Sequence, residues 1–132
     1  MSAKRASAIL GLELKEITKS VVFFCGNKPF LILVPGNLRV SYKKLKNILN
    51  EPKVRLATPD EVIKNTGYTI GATPPVCFNN ELKIIIDKKV IEKEIVYTGG
   101  GEVTAILKIK SNDLKKITEA AVEDISEEIK QL

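Results

Sequence analysis

The chain has 132 residues, with 21 lysines and arginines against 16 aspartates and glutamates, a net charge of +5, and no histidine. This length is typical of one domain, so we expect a single domain over residues 1–132. Without histidine the chain can hold no Ser–His–Asp or Cys–His catalytic group, and with two cysteines it cannot assemble a four-ligand Cys/His zinc site. We expect no metal and no cofactor.

The first half of the chain predicts a helix, a hairpin and a second helix. Ser2 can cap a helix over Ala3–Leu10 that ends at Gly11. Two apolar runs rich in β-formers, Ser20–Cys25 and Phe30–Val34, flank the turn pair Gly26-Asn27, which predicts a β-hairpin. After a loop at residues 35–37, Ser41 can cap a helix to Asn50, with an apolar inner face and a basic outer face. The inner face is Leu45, Ile48 and Leu49, and the outer face is Lys43, Lys44 and Lys46.

The second half predicts more strands than helices. A short strand over Val54–Ala57 precedes the capping box Thr58-Pro59-Asp60-Glu61, whose helix should end by Gly67. Residues 68–78 contain glycine and two prolines and read as irregular. Three strands follow, over Lys83–Asp87, Ile95–Thr98 and Val103–Lys110. Ser111 then caps a C-terminal helix that can break at residues 119–121, and its apolar positions are Leu114, Ile117, Ala121, Ile125 and Ile129.

About six strands and four helices that do not alternate strictly predict an α+β fold. The expected architecture is a mixed, curved sheet or small barrel with surrounding helices.

Neither a membrane span nor a secretion signal is visible in the sequence. No apolar run approaches the ~20 residues of a membrane-spanning helix, and residues 1–10 lack the apolar stretch of a signal peptide. We therefore expect a cytoplasmic protein. In such a protein Cys25 and Cys77 are expected as small buried apolar residues, although a disulfide between them is conceivable.

The charge is unevenly distributed along the chain. Residues 1–58 carry a net +8 and residues 59–132 a net −3. A basic half can attract nucleic acid through counterion release. A lysine-rich solvated surface explains the same composition, and charge alone favours that second explanation.

Three segments are candidates for chemistry, and each is weak by itself. Gly99-Gly100-Gly101 lacks the spacing of a phosphate-binding loop and reads first as a hairpin loop, although its bare backbone would let a ligand approach. Gly71-x-x-x-Pro75 can form a bend whose amides face a pocket, and equally a strand-breaking loop. Lys19, at the start of a core strand, would be held rigidly and partly desolvated, although any one of 18 lysines is usually a surface charge.

In collinear order these segments resemble the YbaK/EbsC/ProX family of aminoacyl-tRNA deacylases, and they are similar to the editing domain inserted in bacterial prolyl-tRNA synthetases. The resemblance covers about residues 3–125 and is carried by the following set: Lys19 at a strand start, VPGNLRVSYKKL, NTGYTIGATPP, IIID and YTGGG. It implies that Lys19 is the functional lysine and that Gly71, Ala72, Thr73 and Pro75 lie on the loop that shapes the amino-acid pocket. It also matches Gly99, Gly100 and Gly101 to the family's glycine turn and Asp87 to an acid at a strand end. We group these four residues with the substrate pocket and assign no role to Asp87.

The implied activity is hydrolysis, in trans, of the ester that joins a wrong amino acid to a tRNA, mostly tRNA(Pro). An aminoacyl ester is already activated, so Lys19, backbone amides and a water suffice for such chemistry. Lys43, Lys44 and Lys46 are then candidate contacts to tRNA phosphates, and prolyl-tRNA synthetase is a candidate partner.

Two alternatives to that activity stay open. Related proteins carry a strand before the segment that matches residues 2–12, and its absence here suggests a non-catalytic module that binds tRNA or a synthetase. It also suggests a homodimer, because a second copy could cover the edge left exposed. An unrelated small-molecule binder on a mixed barrel requires the ordered match to be accidental.

Overall fold

The predicted hairpin forms the centre of the fold. The computed structural model describes residues 7–8, 10–67, 82–99 and 106–129. In it, β1 (Thr18–Cys25) and β2 (Lys28–Pro35) pair antiparallel in a register that runs from Thr18↔Pro35 to Cys25↔Lys28. Gly26 begins the turn at φ +63, a left-handed conformation that favours glycine. The hairpin prediction is confirmed.

Three more strands complete a mixed sheet in the order β4-β1-β2-β5-β8. The short β4 (Val54–Leu56) is antiparallel to the end of β1, while β5 (Lys83–Asp87) is parallel to β2 and β8 (Ala121–Glu123) is parallel to β5. The sheet is curved, but within the described residues its edge strands β4 and β8 do not meet, so the α+β mixed sheet is confirmed and does not close into a barrel there.

Two strand pairs accompany this sheet. The first joins β3 (Leu38–Val40) to β9 (Ser126–Glu128), and the second joins β6 (Ile95–Gly99) to β7 (Ile106–Lys110); both are antiparallel. β6 also contacts the residue just before β1, through a parallel bridge between Ile17 and Tyr97. This bridge brings the second pair against the central sheet at the end where β1 begins.

The two best-capped helices begin and end where the sequence predicts. In α1 (Tyr42–Leu49) the Ser41 hydroxyl accepts a hydrogen bond from the Lys44 N–H, and in α2 (Pro59–Thr66) the predicted capping box is present. Two further helices are α3 (Lys88–Ile91) and α4 (Ser111–Thr118), and a short 3-10 helix spans Leu14–Glu16. No helix among the described residues has the length and apolar character needed to cross a membrane.

The sheet separates two apolar clusters because alternate strand residues face opposite sides. One cluster contains Val22, Leu33 and Ile86, and the other contains Phe23, Ile32 and Ile85. Leu45 of α1 is fully buried in the second cluster, but Ile48 is 39% exposed. The prediction that Ile48 lies on the inner face of α1 is therefore wrong.

The predicted C-terminal helix is too long. Helix α4 ends at Thr118, Glu119 adopts a left-handed φ of 52, and the chain then forms β8 and β9. Of the positions assigned to its apolar stripe, Ile117 and Ile129 are 59% and 52% exposed, whereas Ile125 is fully buried in the second cluster. Ser111 is also the first residue of the helix and not its cap. Pairing with β5 and β3 outweighs the helical spacing in this segment.

Cys25 is a free, buried thiol. Burial and the nearby Glu51 carboxylate raise the pKa of Cys25 to about 11, because both disfavour the thiolate. This agrees with the expectation of a small apolar residue; Cys77 lies outside the described residues.

An ion pair joins β4 to the first turn of α2. The two terminal nitrogens of Arg55 each donate to one oxygen of Glu61, both at 2.7 Å, and Glu61 also accepts from the Thr58 N–H. These hydrogen bonds, first from Arg55 and then from Thr58, lower the pKa of Glu61 to about 2. Folding therefore favours the charged form of Glu61.

We expect acid to remove the contribution of the Arg55–Glu61 ion pair to the stability of the fold over a defined pH range. Because the folded pKa is below the ordinary value of 4.5, the stabilisation is complete above about pH 4.5 and is lost as the pH falls through about 2. The difference in melting temperature between the wild type and Glu61→Gln, which keeps a capping-box side chain, should therefore shrink from pH 6 to pH 2. Glu94→Gln, an exposed glutamate, is the matched control. A wild-type minus Glu61→Gln difference that stays constant with pH would contradict the assignment.

Candidate active site

Lys19 is the second residue of β1 and is half-buried. Its cross-strand partner is Val34 of β2, a fully buried residue. Desolvation lowers the pKa of Lys19 below its usual 10.5, because burial penalises the charged ammonium. Lys19 is therefore partly desolvated, as its position at the start of a core strand predicts, and is not an ordinary surface lysine.

The end of β6 lies next to this lysine. Ile17 and Tyr97 form a parallel bridge, and two steps along both strands lead to Lys19 and Gly99. Parallel strands advance together, so continuing this register by two residues brings the first glycine of the triple level with Lys19. Of the other predicted pocket residues, Gly71, Ala72, Thr73, Pro75, Gly100 and Gly101 lie outside the described residues.

Two hydroxyl groups near this junction were missed by the sequence reasoning. Thr98 is fully buried, and neither its Oγ1 nor the Oγ of Ser20 has a hydrogen-bond partner within the described part of the chain. Buried hydroxyls of this kind usually hold a water or a ligand atom. Serine and threonine are ordinary strand residues, so only the strand positions next to Lys19 and Gly99 could have drawn attention to them.

Asp87 lies inside the fold, with both carboxylate oxygens in use. One oxygen accepts from the N–H groups of Ile125 and Ser126 at 3.0 and 3.1 Å, and the other accepts from the Ser126 hydroxyl at 2.8 Å and the Lys89 N–H at 3.3 Å. The carboxylate thus caps α3 and fixes the chain between β8 and β9. These contacts connect the acid to the C-terminal strands, although the sequence groups it with the pocket.

The three lysines of α1 differ in their surroundings. The Lys44 ammonium donates to Asp124 Oδ1 at 3.1 Å and to the carbonyl of Ser126 at 2.8 Å, which attaches α1 to the C-terminal segment. Lys43 is exposed and Lys46 is half-buried, three positions apart on the same helix. The pair available to an anionic partner is therefore Lys43 and Lys46.

This arrangement suits the stabilisation of negative charge. A desolvated ammonium interacts with an anion more strongly than a solvated one, and a glycine backbone allows close approach. Such groups can hold a carbonyl oxygen as it becomes an oxyanion. Among the described residues, no three Cys, Asp or Glu side chains lie together as a metal site.

The chain is similar to proline–tRNA ligases over a short part of their length. The Proline--tRNA ligase of Fervidobacterium nodosum is 34% identical over 101 residues, which are 76% of this chain and 17% of the ligase. That of Thermosipho melanesiensis is 31% identical over 99 residues, which are 75% of this chain and 17% of the ligase. The chain therefore spans only a small part of these relatives.

Solved structures share the fold over nearly the whole chain. One, described as "a putative trans-editing enzyme for prolyl tRNA synthetase", has a TM-score of 0.88 and 34% identity, covering 96% of this chain and 80% of that chain. Another, of a hypothetical protein, has a TM-score of 0.90 and 31% identity, covering 96% of this chain and 84% of that chain. A family model for the aminoacyl-tRNA editing domain matches residues 1–117. The chain belongs to the aminoacyl-tRNA editing domain family.

Proposed function

We propose that this chain is a deacylase that acts in trans on mischarged tRNA, with tRNA(Pro) as its tRNA. The observation that carries the proposal is the half-buried Lys19, whose pKa burial lowers, at the point where β6 leads into the glycine triple. The similarity to proline–tRNA ligases and to a structure named for trans-editing supports the choice of tRNA. We place the activity in the cytoplasm, where prolyl-tRNA synthetase would supply the mischarged substrate.

The proposed chemistry is attack of a water on the aminoacyl ester. The water oxygen bonds to the ester carbon, and the Lys19 ammonium and backbone N–H groups of the turns that the sequence predicts at Gly99–Gly101 and Gly71 donate to the oxyanion. The bond to the ribose oxygen then breaks, and that oxygen takes up the proton released by the water. The products are a free amino acid and an uncharged tRNA. Ala72, Thr73 and Pro75 are proposed to shape the pocket that accepts the amino-acid side chain.

The test is ester loss from a panel of charged tRNAs. The protein is incubated with Ala-, Ser- and Cys-charged tRNA(Pro), and with correctly charged Pro-tRNA(Pro) as the control. We expect faster deacylation of at least one mischarged species and no acceleration for the control. The proposal is overturned if no mischarged species loses its amino acid faster than in buffer. Binding without turnover would assign the non-catalytic tRNA-binding role.

Lys43 and Lys46 are proposed to contact tRNA phosphates. Each phosphate contact contributes about one unit to the slope of log affinity against log salt concentration. The variant Lys43→Ala/Lys46→Ala should therefore bind tRNA more weakly at low salt and reduce this slope by about two. Fluorescence anisotropy with labelled tRNA at several salt concentrations measures both effects.

Lys115→Ala/Lys116→Ala is the matched control for that pair. Both residues are exposed lysines on α4, in the half of the chain with net negative charge. An equal loss of affinity in this control, or an unchanged slope in the Lys43/Lys46 variant, would remove α1 from the tRNA interface.

A further inference from the structure

A cleft lies at the opposite end of β1 from Lys19. It has a volume of about 510 Å³ and is lined by the hairpin turn and the segment that leads into β4: Phe24, Gly26, Asn27, Pro52, Lys53, Val54 and Arg55. This volume is within the range of about 300–1,000 Å³ that is usual for small-molecule sites. Cys25, the end of β1, is six residue steps along an extended strand from Lys19, so the cleft is about 20 Å from the candidate active site.

Arg55 provides the cleft with a planar group in a fixed orientation. Its guanidinium carbon lies 4.7 Å from the centre of the Phe24 ring. The bidentate pair of hydrogen bonds to Glu61 fixes the plane of the same guanidinium. The Arg55 side chain is still 57% exposed. An arginine held in this way loses little freedom when a second flat group stacks on it.

The rest of the lining offers groups that suit a base and a phosphate. Lys53 is exposed and forms no ion pair among the described residues, and Asn27 is exposed beside it in the lining. The nearby Glu51 carboxylate accepts from the backbone N–H of Lys53 at 3.0 Å. Proteins hold nucleotides with groups of these three kinds. The planar guanidinium of Arg55 can stack on a base, the Asn27 amide can form hydrogen bonds to a base edge, and the Lys53 ammonium can contact a phosphate.

We propose that this cleft is a nucleotide-binding site, in which a base stacks on the Arg55 guanidinium and a phosphate contacts Lys53. The proposal rests on the proposed function, because the nucleotide belongs to the same tRNA that places its aminoacyl end at Lys19. At about 3.4 Å per stacked nucleotide, 20 Å corresponds to about six nucleotides. The cleft would therefore take a nucleotide from the end of the acceptor arm.

Binding of an RNA minihelix to matched variants tests the site. The probe is a fluorescent tRNA(Pro) acceptor minihelix that ends in CCA, and free AMP is titrated in a separate arm. Arg55→Lys keeps the charge but loses the plane, so affinity should fall about tenfold with an unchanged salt slope. Lys53→Ala should weaken binding and lower the slope by about one. Phe24→Leu, which removes the ring under Arg55, should resemble Arg55→Lys, and Lys116→Ala should bind as the wild type does.

The outcomes separate this site from the proposed function. If the minihelix binds Arg55→Lys and Lys53→Ala as tightly as the wild type, the nucleotide site is wrong while deacylation of charged tRNA can still stand. If Arg55→Lys weakens AMP binding and leaves minihelix binding unchanged, the cleft takes free nucleotides and its assignment to tRNA is overturned. If the wild type neither binds the minihelix nor deacylates charged tRNA, the proposed function itself fails.

Discussion

Replacing Lys19 by alanine is expected to slow deacylation of a mischarged tRNA by about 10²–10³-fold, the usual effect of removing one donor to an oxyanion. The ammonium is half-buried, so water screens it less than it screens a surface charge. The fold should persist, because Lys19 forms no ion pair among the described residues. Single-turnover ester loss from mischarged tRNA(Pro) measures the effect, and circular dichroism checks the fold.

Two further measurements distinguish a catalytic charge from a structural one at Lys19. Burial lowers the pKa of Lys19 below 10.5, so the ammonium should lose its proton at a lower pH than an ordinary lysine does. The enzymatic rate, measured after spontaneous hydrolysis is subtracted, should decline as the pH rises through this lowered pKa. Lys19→Arg keeps a charge but changes its shape, so its activity should lie between those of the wild type and Lys19→Ala. Lys116→Ala should be fully active. Full activity in Lys19→Ala would remove the lysine from the mechanism.

The sequence predicts best the elements whose signals are local. The hairpin turn at Gly26-Asn27, the Ser41 cap and the capping box at Thr58 each act over a few residues, and all three occur where predicted. Such signals work because a cap or a turn satisfies backbone groups within the same segment.

Short strands that depend on distant partners escape this kind of prediction. Each of β3, β8 and β9 has three residues, and each is stabilised by pairing with a part of the chain far away in sequence. The spacing of Leu114, Ile117, Ala121 and Ile125 suits a helix as well, so only the pairing partners decide the outcome.

The candidate site shows the same division between local and distant information. A lysine at the start of a core strand is visible in the sequence, and the structure places Lys19 there. The parallel bridge from Ile17 to Tyr97, which brings β6 alongside the start of β1, is a non-local contact that no motif encodes. The resemblance to editing domains identifies the glycine triple as part of the site, but it does not explain why the fold brings the end of β6 to the start of β1.

Asp87→Asn is expected to destabilise the fold by about 3 kcal/mol, because four hydrogen bonds converge on a fully buried carboxylate. The asparagine amide has only one acceptor oxygen, so its NH₂ group must face backbone N–H donors. The segment from Glu123 to Ser126 should loosen first, since the bonds from Ile125 and Ser126 hold it to the end of β5. Urea denaturation at pH 7 measures the loss, and Asp113→Asn, at an exposed aspartate on α4, should stay within about 0.5 kcal/mol of the wild type.

A double-mutant cycle tests whether Asp87 acts through Ser126. Ser126→Ala alone removes one hydrogen bond to the carboxylate and should cost about 1 kcal/mol. In the Asp87→Asn background that bond is already disrupted, so the second substitution should cost clearly less than it does alone. Additive effects would mean that the Ser126 hydroxyl is stabilised by another group. An Asp87→Asn protein as stable as the wild type would contradict the anchoring role, and the acid would then have to be explained by the substrate pocket.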